Sequence, residues 1–239
     1  MPTSVWTLAK QVYGDHGLKA VCVLGCKKIV HPFVKFGSMY FLDRDLSTKM
    51  PSLKAVEGIV TREGTLADLD LLDTVENPDR AKNEAAERLT IGDRWVIAVE
   101  EATGKLANYR WISMSSAYVP ELSCDLIVRP GQAYLYNLET LPEFRRRGIE
   151  VLTRQYTYTM LYRRCGIQHV VAYIRADNYA SLKAARRYLT PIARVWYVRF
   201  RGKVRIFMRP NERMPELRAS SDSSSLQAAV LTRTSRSLR

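Results

Sequence analysis

Three consecutive arginines and a glycine, Arg145-Arg146-Arg147-Gly148, close a run that reads Thr140-Leu141-Pro142-Glu143-Phe144-Arg145-Arg146-Arg147-Gly148-Ile149-Glu150. The chemistry open to such a run is to hold an anion. An alternating strand from Ala133 ends at Thr140, and an amphipathic helix opens directly after Gly148. The first N–H groups of a helix have no partner within it, and they aim at whatever precedes it. Those donors, the positive end of the helix dipole and three guanidinium groups all favour a phosphate there. Gly148 allows a positive φ or close backbone approach. An ordinary β–α turn with a solvated basic face would have the same residues, so the flanking elements have to decide.

Those elements follow one another in a definite order. Gly58 to Thr61 reads as a short strand, and Thr65 caps a helix over residues 65–72 with apolar positions at helical spacing. Asn77-Pro78-Asp79 breaks the chain and opens a second helix, Arg80 to Leu89. Arg94 to Val99 and Leu106 to Ser113 form a hairpin around Thr103-Gly104. Residues 114–132 are less regular, with a short strand or loop around Asp125 to Val128. After the strand that leads into the basic turn, a helix carries Ile149, Leu152, Tyr156 and Met160 on one stripe and stops at Gly166. Gln168 to Ile174 is a β-branched strand, Asp177-Asn178 starts a helix to about Leu189, and Pro191 ends it. Ala193 to Phe200 and Lys203 to Met208 make a last hairpin about Arg201-Gly202.

Taken together, the turn and this element order over about residues 55–210 resemble the GNAT superfamily of N-acetyltransferases. The family's signature is Arg/Gln-x-x-Gly-x-Gly/Ala preceded by Val-x-Pro; here Thr140 stands for the valine and Glu150 for the final small residue. The resemblance implies an α+β (α/β) fold, with a central mixed, mostly antiparallel twisted sheet flanked by helices. It implies acetyl-CoA as acyl donor and no metal. Pantetheine would lie along the backbones of Leu138 and Thr140. Pyrophosphate would sit on the N–H groups of Arg146, Arg147, Gly148, Ile149, Glu150 and Val151, with Arg145 setting the turn. Asn178 and Ser181 would lie near the cofactor arm, although Asn178 is equally a good helix cap.

The implied reaction is direct attack of a primary amine on the thioester, with a base for its proton and a strand N–H for the oxyanion. Glu139 is the candidate base; an exposed strand carboxylate is its other reading. Many GNAT enzymes place a tyrosine seven residues after the asparagine to protonate the thiolate, but that position is Ala185, so the candidate acid is Tyr188, one turn on. Tyr136 and Tyr173 are further hydroxyls on neighbouring strands, where packing is the commoner role. No motif identifies the acceptor; an amino sugar or other cell-envelope precursor is one class considered. A longer acyl group delivered by CoA or a carrier protein stays open, because Glu150 and Ala185 depart from the pattern.

The bulk numbers bound these readings. A chain of 239 residues with 46% hydrophobic content suits one substantial core with extensions. Residues 1–54 read as an extension, with a short helix carrying Val5, Leu8, Ala9 and Val12, an apolar run Ala20 to Cys26 and a strand Lys35 to Leu42. That apolar run is far short of the roughly 20 residues needed to cross a bilayer. Residues 211–239 read as a disordered basic Ser/Arg tail. The four cysteines (22, 26, 124, 165) and three histidines (16, 31, 169) make no zinc spacing; free thiols fit a reducing cytosol, and a cytoplasmic location is expected. A net charge of +13 points to a polyanion. Peripheral contact with an anionic membrane at its inner face is one partner, and a homodimer is another. Stacking of nucleic acid on Trp111, Trp196 and Tyr197 is a rival, but no recognition-helix, zinc or RNA-binding signature accompanies the charge.

Overall fold

The computed structural model describes residues 34–48, 55–209, 211 and 213–219. Eight strands form one sheet: β1 (Val34–Asp45), β2 (Ile59–Gly64), β3 (Arg94–Glu100), β4 (Leu106–Ser113), β7 (Gln132–Thr140), β8 (His169–Arg175), β9 (Thr190–Phe200) and β10 (Lys203–Met208). Their order is β10-β9-β1-β8-β7-β4-β3-β2, and the β7–β8 pair alone is parallel. Three shorter strands, β5 (Ser116–Val119), β6 (Cys124–Ile127) and β11 (Glu216–Ala219), make a second sheet in the order β11-β6-β5. The helices are α1 (Pro78–Thr90), α2 (Ile149–Cys165) and α3 (Tyr179–Ala185), with 3-10 segments at Leu66–Thr74 and Pro142–Phe144.

The residues account for this layering. Trp95, Val96, Ile97 and Ala98 are buried in succession on β3, as an interior strand covered on both faces requires. Trp95 stacks on Trp111 of β4 with centroids 5.4 Å apart and planes 2° from parallel. Gly64 lets β2 lie against this pair, since a Cβ there would stand 2.5 Å from the Trp95 ring. Neighbouring residues on a strand point to opposite faces. On β4, Arg110 meets Glu150 of α2 while Tyr109 and Trp111 share a cavity wall with α1, so α1 and α2 cover opposite faces. Leu42, Ala172 and Ala185 pack in the α2 cluster, which puts α3 on that side. The small sheet packs its Val119, Cys124, Leu126 and Leu217 against Met39, Phe41, Tyr134 and Val171 on the α1 side.

Several expectations need correction. The strand expected at Lys35 to Leu42 is the longer β1 and lies inside the sheet, paired with β8 on one side and β9 on the other. Its alternating apolar positions, Met39 and Phe41, are fully buried, so this stretch belongs to the main sheet. Likewise β11 pairs with β6 from within the stretch read as tail. The irregular region 114–132 hides two short strands, too brief for period-two counting. The first helix is 3-10 rather than α, and the helix after Asn178 stops at Ala185 rather than Leu189. The short helix near Val5, the apolar run at Ala20, Cys22, Cys26, His16 and His31 lie outside the described residues. No described helix is long and apolar enough to cross a membrane.

One feature of the sheet bears on the basic turn. β7 and β8 pair only over Gln132–Tyr134 and His169–Val171 and then part. Beyond Tyr134, β7 keeps β4 on one side and has no described strand on the other, leaving an open backbone edge that runs into the basic turn.

Candidate functional site

The turn is built from the core outward. Leu141 and Phe144 are buried anchors, and the 3-10 segment Pro142–Phe144 between them turns the chain. Arg145 Nε donates to Thr140 O at 3.0 Å, tying the start of the turn to its end. Arg146 (φ 64°) and Gly148 (φ 77°) both adopt the left-handed conformation, which belongs to the kind of turn that makes anion-binding concavities. Those of Arg146, Arg147, Gly148, Ile149 and Glu150 meet no acceptor among the described residues. The next two do: Val151 and Leu152 close on Gly148 O at 3.0 and 3.3 Å. Val151 therefore leaves the expected donor set, because Gly148 already serves as the helix cap. Arg147 is also less free than its position suggests, with Nη1 3.1 Å from Glu100 and its guanidinium 5.2 Å from the Phe144 ring centroid.

Glu150, the residue least suited to an anion turn, faces away from it. Its Oε1 takes Arg110 Nη2 at 3.2 Å and Arg154 Nη1 at 2.9 Å, and its Oε2 takes Arg154 Nη1 at 2.6 Å. Both arginine side chains are buried, at 4% and 7% exposure, while the carboxylate keeps 34%. Burial pulls the Arg110 guanidinium below its usual pKa, and Glu150 partly restores it.

Upstream, β7 carries a bulge. The β4–β7 register shifts between Tyr109 and Trp111, and Asn137 lies at φ 44°. The bulge brings Asn137, Leu138 and Glu139 to the surface, Leu138 at 49% exposure. Asn108 Nδ2 holds the far side through Glu139 O (2.7 Å) and Thr140 Oγ1 (2.8 Å). Leu138 and Thr140 thus lie on the edge that opens where β7 and β8 part.

On the α1 side of the same strand is a cavity of about 310 Å³, walled by Glu84, Arg88, Tyr109, Trp111, Asn137 and Glu139 among others. Glu139 accepts from Tyr109 OH at 2.8 Å. Burial, and then that carboxylate, push the Tyr109 hydroxyl above its ordinary pKa, so it stays a neutral donor. Arg88 stacks between Trp111 (5.2 Å) and Tyr136 (5.3 Å) and pairs with Glu84 at 2.9 Å. With its amide oxygen turned inward, Asn137 accepts from Arg88 at 3.0 and 2.9 Å, which links the bulge to α1. Tyr136 OH donates to buried Asp93, and burial raises its pKa as well.

The remaining expected residues have other partners. Tyr188 lies on the α2 side, its ring 3.2 Å from the Arg154 guanidinium and its carbonyl accepting from Arg44 at 3.1 Å. The structure does not bring it to Glu139, which faces the opposite side of the sheet; its neighbour Leu189 packs into the α2 cluster instead. Asn178 Oδ1 accepts from Ser181 N–H at 3.1 Å as the cap of α3. Tyr173 donates to Glu121 at 3.1 Å and stacks beside Tyr134. Among the described residues no group of three or more His, Cys, Asp or Glu side chains is placed to hold a metal ion. Sequence reading missed Glu84, Arg88, Tyr109 and Asn137, which lie in an amphipathic helix, a buried hairpin and a strand interior where nothing marks them.

No protein-family model matches this sequence, and no curated protein does. Solved structures do match in fold. A GCN5-related glucosamine N-acetyltransferase region in a fungal multi-domain GH3 β-N-acetylglucosaminidase superposes with a TM-score of 0.52 and 14% identity, over 76% of this chain and 23% of that one. A GCN5-related N-acetyltransferase from Sphaerobacter thermophilus gives 0.49 and 15%, over 77% of this chain and 56% of that one. A tandem GNAT protein from the clavulanic acid biosynthesis pathway gives 0.49 and 17%, over 74% and 58%. This chain spans little more than half of the last two and under a quarter of the first. At such identities the likeness is one of fold. The mixed sheet flanked by helices is GNAT-like, as the turn and element order led one to expect.

Proposed function

We propose that this chain is an acyl-CoA-dependent N-acyltransferase that passes acetyl from acetyl-CoA to a primary amine. The observation that carries the reading is the run of five unpartnered N–H groups, Arg146 to Glu150, at the end of an open strand edge. Backbone donors at a helix start suit a pyrophosphate, and a free strand edge suits the amide-bearing pantetheine arm, which can pair with it as an extra strand. CoA supplies an activated thioester. Everything else falls to residues of this chain. Leu138 and Thr140 would orient the arm, and the bulge at Asn137 and Leu138 would place a backbone N–H at the carbonyl oxygen as negative charge develops there.

The cavity on the α1 side is the fitting place for the acceptor, because it opens at the same bulge. The acceptor ammonium gives one proton to water, the neutral amine nitrogen attacks the thioester carbon, its second proton passes to the Glu139 carboxylate, the C–S bond breaks, and CoA leaves as a thiolate that takes its proton from water. Tyr109, hydrogen-bonded to that carboxylate, keeps it turned toward the cavity. Glu76, Glu84 and Glu139 outnumber Arg80 and Arg88 among the wall residues, so a cationic amine is favoured in a chain that is otherwise strongly basic. The test is a thiol-release assay with acetyl-CoA across a panel of amino sugars, polyamines and amino acids, repeated with Glu139→Gln. Amine-dependent release that the variant loses is expected; release that ignores both amine and variant would remove the proposal.

A further inference from the structure

We infer that Arg110 and Arg154 act as positioning residues, a two-arginine clamp that holds the Glu150 carboxylate off the anion turn and so keeps the turn able to take a phosphate. The inference rests on the reading of that turn as the pyrophosphate site. Glu150 is the second residue of α2, and its own N–H belongs to the unpartnered set. A carboxylate on the first turn of a helix is ordinarily drawn to the free N–H groups of that turn. Left alone, Glu150 would fold over the donors that a phosphate needs and add a negative charge beside it.

The structure gives both carboxylate oxygens to another task. Arg154, one turn along α2, takes Oε2 at 2.6 Å and Oε1 at 2.9 Å, and Arg110 of β4 reaches Oε1 from beneath at 3.2 Å. The clamp is anchored in the interior: Arg110 is 4% exposed and Arg154 7%. Arg154 is fixed from its other side by the Tyr188 ring at 3.2 Å, which gives that tyrosine a place in the structure without a role as acid. Burying two guanidiniums for one carboxylate is costly and leaves Arg110 Nε without a partner. The arrangement makes little sense as a device for stability alone. Its result is a group of net charge +1 beside the turn, where a glutamate with neither arginine would contribute −1.

The experiment is a double-mutant cycle read by titration calorimetry with CoA, using the full chain. Arg154→Met preserves the packed stem, so it is preferred to any change at buried Arg110; a thermal melt confirms folding of each variant. With Glu150 present, Arg154→Met is expected to weaken CoA binding about tenfold or more, as a charge released at close range should. In the Glu150→Gln background the same change is expected to have less than about a threefold effect, and the larger loss should shrink at high salt. A structural role alone would give equal losses in both backgrounds, and that result, or no loss at all, overturns the clamp. Absence of saturable CoA binding by the unaltered protein would overturn the pyrophosphate reading and the clamp with it, whereas normal binding with no coupling between residues 150 and 154 removes only the clamp.

Discussion

The two sides of strand β7 are built from different materials. On the side of α2 the candidate site is backbone: five N–H groups, shaped by two left-handed residues, with the Arg147 and Glu150 side chains paired to other residues. On the side of α1 the site is side chains: Glu139, Tyr109, Arg88 and Glu84 converge from a strand, a hairpin and a helix. A backbone site depends on conformation and tolerates truncation of side chains. A side-chain site tolerates modest backbone change and fails when one functional group is lost. The lesson is that two faces of one strand can be separately breakable.

The sharpest way to test that contrast is Gly148→Val. A β-branched residue at φ 77° is strained, and a shift of the nest should lower CoA affinity roughly 100-fold in calorimetry, with cavity ligands unaffected. Next, Glu139→Gln is expected to lower kcat by roughly 100-fold while CoA affinity holds within about twofold; a parallel fall in both would erase the distinction between the sides. Tyr109→Phe removes the hydroxyl that orients Glu139 and should reduce kcat about tenfold, again without touching CoA affinity. Arg145→Ala, which truncates a side chain on the backbone side, should cost only about threefold in CoA affinity through the lost bond to Thr140 O.

The smallest effect lies behind the cavity, in the 3-10 segment that supplies its wall residue Leu72. Asp68 is held at about 2 by the two Arg62 hydrogen bonds, aided by Thr65, and ties the 3-10 segment to β2. Its folded pKa lies below the ordinary value of 3.8, so its stabilising contribution is complete above that value and is lost as pH falls toward about 2. Asp68→Asn should therefore melt earlier at neutral pH, by about 1 kcal/mol, and the difference from the parent protein should vanish near pH 2. CoA binding should not respond, since Asp68 belongs to the other side.

Legibility in the sequence follows the same division. The turn is contiguous, so Pro142, Arg145 and Gly148 announce it, and the order of helices and strands from residue 55 to Met208 could be read from periodicity and breaks. Period-two alternation located β1 but could not say where it inserts, because pairing between residues 34–45 and strands more than a hundred positions away leaves no local trace. The cavity was closed to sequence reading for the same reason: Arg88, Tyr109 and Glu139 meet only after the sheet forms. Glu150 looked like a defect in the turn, since nothing local shows that Arg110, forty residues earlier, would take its carboxylate. Tyr188 was chosen by counting turns along a helix that in fact ends at Ala185.

The most direct test of the central claim, that the backbone nest before α2 holds a pyrophosphate, is to compare the binding of CoA with that of pantetheine, which has the same arm and thiol without the nucleotide and its phosphates. Saturable CoA binding, with pantetheine weaker by roughly 100-fold or more, is the result expected if the five N–H groups provide the main grip. Equal affinities, or no binding of CoA at all, would mean that the nest is only a turn in the chain.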